Sequence, residues 1–364
     1  MADNKLKIGI TQGDTNGIGW ELILKIFSDS RITEFCTPVI YGSLKVAEYY
    51  KKNIETEPVT FNKIPSAREA HGDKINLVEC GDNNIEITPG VASAAAGKAA
   101  IDALVRATEE LKSGIIDAIV TAPFNKESVQ SESFSFTGHT EYMASQFDGE
   151  SMMMMCSDTL RVGLVTKHTP LNKVAEELST DKIIKDINNL RASLKKDFGI
   201  IEPRIAVLAL NPHAGEGGML GSEEEAIIKP AIVEAFKDGA LVFGPFAADG
   251  FFAAGSYKKY DAILAMYHDQ GLIPFKTLSP EGVNFTAGLL GVRTSPDHGV
   301  AYDIAGEGVA TPDSMRNALY MAIDIVRSRR SYFKAHSNPL QRAERERSHR
   351  DMSLKDLRHH EHKE

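Results

Sequence analysis

Three histidines occupy the same local pattern: His168 in RVGLVTKHTP, His213 in AVLALNPHAGE and His268 in DAILAMYHDQG. In each, a short apolar run meets a histidine within about two positions and then a proline or glycine, as a buried strand does on entering a loop. Neutral imidazole is the commonest protein ligand for a divalent metal, and three histidines with open positions describe a catalytic rather than a structural site. His213 follows His168 by 45 residues and precedes His268 by 55, so no single helix supplies all three. Only a fold that brings strand ends together can do so, and any one of them alone reads as an ordinary structural histidine.

A second group suits an anion. Lys276 follows the His268 loop, Asn284 and Arg293 lie in EGVNFTAGLLGVRTS, and His139 and Thr140 lie in FTGHTEYM. Together they could grip a phosphate or a carboxylate. Arg293 stands in a stretch poor in charge, which sets it apart from a solvated cation. The glycine loop GDTNGIG, between the strand-like KIGIT and the helical WELILKIF, has neither Walker nor GxGxxG spacing. It therefore reads as a tight turn rather than a phosphate cradle.

The elements that must position these residues are short apolar runs alternating with helical segments, the pattern of an α/β fold with a mainly parallel sheet. Strands are expected at 7–11, 38–43, 117–121, 161–166, 205–210 and 261–266. The run SMMMMC reads as buried strand, because four adjacent methionines cannot share one face. Helices are expected at 91–112 and from a Ser179 cap to Phe198, stopped by Gly199. Another follows a Ser222–Glu225 capping box, and a last one opens at Thr311–Pro312. The mixed polar stretch 55–74 reads as peripheral. Ligands of such sheets sit beyond the carboxyl ends of strands, where the three histidines fall.

The 364-residue length suggests two domains. A net charge of −9 gives no footprint for nucleic acid, no segment approaches a membrane span, and Cys36, Cys80 and Cys156 show no pairing pattern. A cytoplasmic protein that binds neither nucleic acid nor membrane is expected. The charged tail after about 331 reads as a solvated extension, its His359, His360 and His362 notwithstanding.

Seven segments, GDTNGIG, TAPFNK, FTGHTE, LNPHAGEGG, YHDQGL, GVNFTAG and RTSPDHG, fall in this order between about 7 and 330. Together they resemble the PdxA family of vitamin B6 biosynthesis, the 4-hydroxythreonine-4-phosphate dehydrogenases, which share the isocitrate dehydrogenase-like fold. The resemblance implies two α/β/α domains with a cleft between them: 1–125 with 286–330 on the cofactor side, and 126–285 on the metal, substrate and dimer side. The segment 331–364 would be an extension. It implies one divalent metal (zinc, magnesium, manganese or cobalt) on His168, His213 and His268, and substrate contacts from His139, Thr140, Lys276, Asn284 and Arg293. The stretch SPDHGVAYDIAGEGVATPDS resembles the loop with which isocitrate and isopropylmalate dehydrogenases hold the adenosine end of NAD. NAD or NADP would then lie against His298, Gly299, Asp303, Ala305 and Gly306.

The resemblance also implies a homodimer with its site at the subunit interface, where His268 would serve the neighbouring subunit. The reaction would be metal-assisted oxidation of the C3 hydroxyl of 4-phosphooxy-L-threonine, a small phosphorylated amino acid, then decarboxylation to 3-amino-2-oxopropyl phosphate. Lys276 or Asp249 would move the proton, and sequence does not choose between them. Alternatives are a sister dehydrogenase for 4-phospho-D-threonate or 4-phospho-D-erythronate, a metal-dependent hydrolase, and a non-catalytic metal binder. One departure stands out: GDTNGIGWE replaces the family's GDPAGIGPE, from which altered loop rigidity rather than lost activity is expected.

Overall fold

The apolar runs become twelve strands in the computed structural model, which describes residues 5–82, 84–131 and 134–340. They are β1 (Lys7–Thr11), β2 (Thr37–Gly42), β3 (Phe61–Ile64), β4 (Ile75–Glu79), β5 (Ala118–Thr121), β6 (Gly149–Cys156), β7 (Arg161–Leu164), β8 (Arg204–Leu208), β9 (Leu241–Phe246), β10 (Ala262–Ala265), β11 (Val283–Leu289) and β12 (Arg293–Pro296). All belong to one sheet in the order β3-β4-β2-β1-β5-β12-β11-β6-β7-β10-β8-β9. Pairing is parallel except around β11 and β6, where β11 runs antiparallel to β12 and to β6, and β6 to β7. This antiparallel seam joins two parallel halves, so the expected α/β class with a mainly parallel sheet is present.

Most local expectations hold for the reasons that prompted them. Ser93 Oγ accepts the Ala96 amide to open the helix Ala94–Lys112. Ser179 accepts the Lys182 amide to open Thr180–Phe198, which Gly199 ends in the left-handed region at φ 69°. β6 buries methionines on both faces, Met152 and Met154 in one core cluster and Met155 in another.

Three local expectations differ. The stretch 55–74 is peripheral yet contains β3, an edge strand whose pattern is too short and polar to show a period of two. Ser222 and Glu225 form no capping box. The helical turn there starts without a side-chain cap, and the neighbouring Glu224 is turned back to the β8 loop. The last helix runs Asp313–His336 with Pro312 just ahead of it, so it takes in the first residues of the expected extension. The tail histidines lie outside the described residues.

Two parallel strands carry the histidine pair. Beyond the ends of β7 and β10 the chains stay joined: the Thr166 amide and hydroxyl both donate to the Met266 carbonyl, at 3.1 and 2.7 Å. His168 and His268 each follow two residues later and so emerge side by side.

Candidate active site

A cleft of about 300 Å³ opens at the carboxyl ends of β5, β7 and β10. His139, Thr140, His168, His268, Lys276, Asn284, Arg293, His298 and Gly299 all line it. Asp249, His213, Asp303, Ala305 and Gly306 do not. Asp249 is exposed on the short helix Ala248–Ala253, and Asp303 is exposed in the turn Tyr302–Ile304.

Arg293 is the most constrained cation in the cleft. Only 3% exposed, it donates from Nε and Nη2 to Thr121 Oγ1 at 3.0 and 2.6 Å, and from Nη1 to Thr286 Oγ1 at 3.4 Å. No carboxylate pairs with it among the described residues, and burial pushes its pKa down while Glu141 works against that shift. A buried guanidinium held only by neutral hydroxyls remains ready for an anion. Lys126, Lys167 and Lys276 add cations against the carboxylates of Glu141 and Asp297, so four positive groups face two negative ones. Lys276 pairs with Asp297 at 3.0 Å.

His139 and His298 are set up as neutral groups, burial lowering the pKa of both. His139 opens the helix His139–Gln146 and stacks on Phe124 at 3.7 Å. Burial first, then Arg293, holds its pKa well below the ordinary range. His298 Nδ1 contacts the Gly299 carbonyl at 3.1 Å. A carbonyl only accepts, so Nδ1 donates and Nε2 is left as an acceptor. That Nε2 and Asn284 Oδ1 are both buried without a partner. A Cβ on Gly299 would meet nothing within 4 Å. Two unpartnered acceptors lining one cleft, with an open stretch of backbone at Gly299, fit a ligand rich in hydroxyl donors, as the riboses of a dinucleotide are.

The metal donors are only partly brought together. The His168 and His268 rings lie 5.9 Å apart, and His268 Nδ1 contacts Asp269 at 2.7 Å, so Nε2 is the nitrogen left for a metal. Partial desolvation and then Lys126 lower the pKa of His168, favouring the neutral form that can ligate. His213 is exposed in the turn Pro212–Gly218, where residues 213–217 all have positive φ. Among the described residues no three His, Cys, Asp or Glu side chains converge on one metal position. A single chain thus supplies two of the three expected ligands, and the donor set does not fit a three-histidine metal within one chain.

Several cleft residues escaped the sequence reading: Thr121, Phe124, Lys126, Glu141, Lys167 and Asp297. Lys126 was within sight in TAPFNK, and Asp297 in RTSPDHG. Thr121 ends β5 and offers no polar pattern of its own.

Residues 34–322 match the family model described as pyridoxal phosphate biosynthetic protein PdxA. A 4-hydroxythreonine-4-phosphate dehydrogenase of Bacteroides thetaiotaomicron is 50% identical over 345 residues, covering 94% of each chain. A protein of Oceanobacillus iheyensis with the provisional name D-threonate 4-phosphate dehydrogenase is 39% identical, covering 87% of this chain and 97% of its own. The crystal structure of the 4-hydroxythreonine-4-phosphate dehydrogenase of Klebsiella pneumoniae superposes with a TM-score of 0.79 at 35% identity, covering 89% of this chain and 99% of that one.

Proposed function

The chain belongs to the PdxA family of pyridoxal phosphate biosynthetic proteins and is an oxidoreductase, and we propose that it oxidises the C3 hydroxyl of 4-phosphooxy-L-threonine with NAD or NADP. Hydride leaves C3 for the nicotinamide and the hydroxyl proton leaves to a base. The resulting β-keto acid then loses carbon dioxide, its enol takes up a proton, and 3-amino-2-oxopropyl phosphate is released. The observation that carries this reading is Arg293, a buried cation without a carboxylate partner among the described residues, lining a cleft with surplus positive charge.

In this reading Arg293 and Lys126 bind the substrate phosphate, and neutral His139, held by Phe124, hydrogen-bonds beside it. Asn284 Oδ1 and His298 Nε2 accept donors from substrate and cofactor. The cofactor supplies the hydride acceptor. Lys276, held as a cation by Asp297, donates the proton that the enol takes up. No step is assigned to a metal. We propose that the His168, His213 and His268 set is completed only when two chains associate, with the site at their interface. Metal content measured with oligomeric state by sedimentation tests that assignment: full metal binding by a monomer would overturn it.

The O. iheyensis relative favours one second reading, oxidation of 4-phospho-D-threonate. NAD(P)H formation with the two substrates under identical conditions decides between them. Preference for the threonate would replace the first reading, and turnover without a nicotinamide would sink both.

A further inference from the structure

Asp14 lies outside the cleft lining, wholly buried, where three loops meet. Its Oδ1 accepts the Asn16 amide at 2.9 Å, and its Oδ2 accepts the Tyr302 hydroxyl at 2.8 Å and that of Ser128 at 3.5 Å. Its own amide donates to the Pro123 carbonyl at 3.0 Å. Pro123 leads directly into Phe124 and Lys126 of the anion-gripping wall, and Tyr302 follows His298 and Gly299 by a few residues. Through its amide on one side and its carboxylate on the other, Asp14 therefore joins the two sides of the cleft from behind.

The glycines around it serve close approach. A Cβ on Gly13, whose φ is +68°, would lie 2.4 Å from the Pro123 carbonyl oxygen, and one on Gly17 would lie 2.3 Å from Val300. The Ile18 amide also donates to the Val300 carbonyl at 3.2 Å. The glycine loop is thus packed against the 297–306 segment, as the tight turn read from its spacing. Among the described residues no lysine or arginine pairs with Asp14, so the hydrogen-bond donors of the loops it ties are what satisfy it.

We infer that Asp14 and Tyr302 are positioning residues, a clamp that holds the 297–306 loop preformed against the anion-gripping wall so that the dinucleotide meets an ordered surface. The inference rests on the nicotinamide reading above. A preordered loop spares the ligand the entropy of ordering it, so losing the clamp weakens cofactor binding more than phosphate binding.

Tyr302→Phe removes only the bridging hydroxyl, and Asp14→Asn weakens the acceptor while keeping its shape. Amide hydrogen exchange across 298–306 in the unliganded protein should quicken about tenfold in Tyr302→Phe. By calorimetry, the Kd for NAD or NADP should rise about tenfold while inorganic phosphate binds unchanged. Unchanged exchange and unchanged dinucleotide Kd would overturn the clamp. An equal loss of phosphate affinity would also overturn it, by showing general loosening. If the unaltered protein binds neither NAD nor NADP, the nicotinamide reading fails and the clamp with it. If it binds one of them as tightly as Tyr302→Phe does, the clamp alone fails.

Discussion

Arg293 and Thr121 face each other across neighbouring strands, the guanidinium reaching one hydroxyl through both Nε and Nη2. They meet because β12 pairs in parallel with β5, Arg293 opposite Ile119 and Thr294 opposite Val120. Thr121 thereby falls one residue beyond the last paired position, at the rim of the cleft. A hydroxyl orients the fork of donors without neutralising it, so the charge stays available to substrate.

Arg293→Ala is accordingly expected to lower kcat/KM for the phosphorylated substrate by about 10²-fold, mainly through KM, since hydrogen bonds to charged groups contribute roughly 1.5–3 kcal/mol each. Steady-state kinetics with the substrate varied at saturating cofactor measures this. An unchanged KM would remove the anion-binding role.

The sequence made the strand ends legible and left their mutual placement open. His168, His268 and Arg293 were visible because histidines and a lone arginine interrupt apolar runs, and the parallel sheet then brings those ends together. His213 shows the same local pattern yet leaves the cleft, because the chain after β8 turns through positive φ from 213 to 217. No pattern of apolar residues reports such a turn. Thr121 and Asp14 were illegible for the opposite reason. Their roles come from partners 172 and 288 residues away, which only the register of the sheet and the packing of loops can supply.

Acid should destabilise the protein partly through His139. Its folded pKa lies well below the ordinary 6.5, burial being the larger cause and Arg293 the next. Below about 6.5 the unfolded chain binds a proton that the native site does not, so stability is full above that value and declines as pH falls toward the folded pKa. Thermal unfolding between pH 8 and 5 should show Tm falling on the acid side, and His139→Asn should flatten the fall. An identical slope in the variant would count against a neutral His139 in the native cleft.

Lys276 and Asp249 were equal candidates for moving the proton, and only Lys276 lines the cleft, tied to Asp297. Lys276→Met is expected to lower kcat by about 10²- to 10⁴-fold with little change in cofactor affinity, the usual contribution of a positioned acid or base. Asp249→Asn should leave kcat within about twofold if each chain builds its own proton path. A large loss in Asp249→Asn would instead show that this exposed carboxylate serves the cleft of another chain.

Glu224 governs where His213 stands. Almost fully buried, its carboxylate accepts the amides of Leu210 and Asn211 at 2.8 and 2.7 Å and the Asn211 side chain at 3.0 Å. This capture sends the chain into the turn in which His213, Ala214 and Glu216 adopt the left-handed region that non-glycine residues avoid. Glu224→Ala leaves the two amides without their acceptor and should cost about 2–4 kcal/mol in urea unfolding, with the m-value unchanged. Because the strained turn is then released, divalent metal binding should weaken in Glu224→Gln as well, a variant that keeps the packing while losing the charge. Metal affinity equal to that of the unaltered protein in Glu224→Gln would mean that the turn does not set the position of His213.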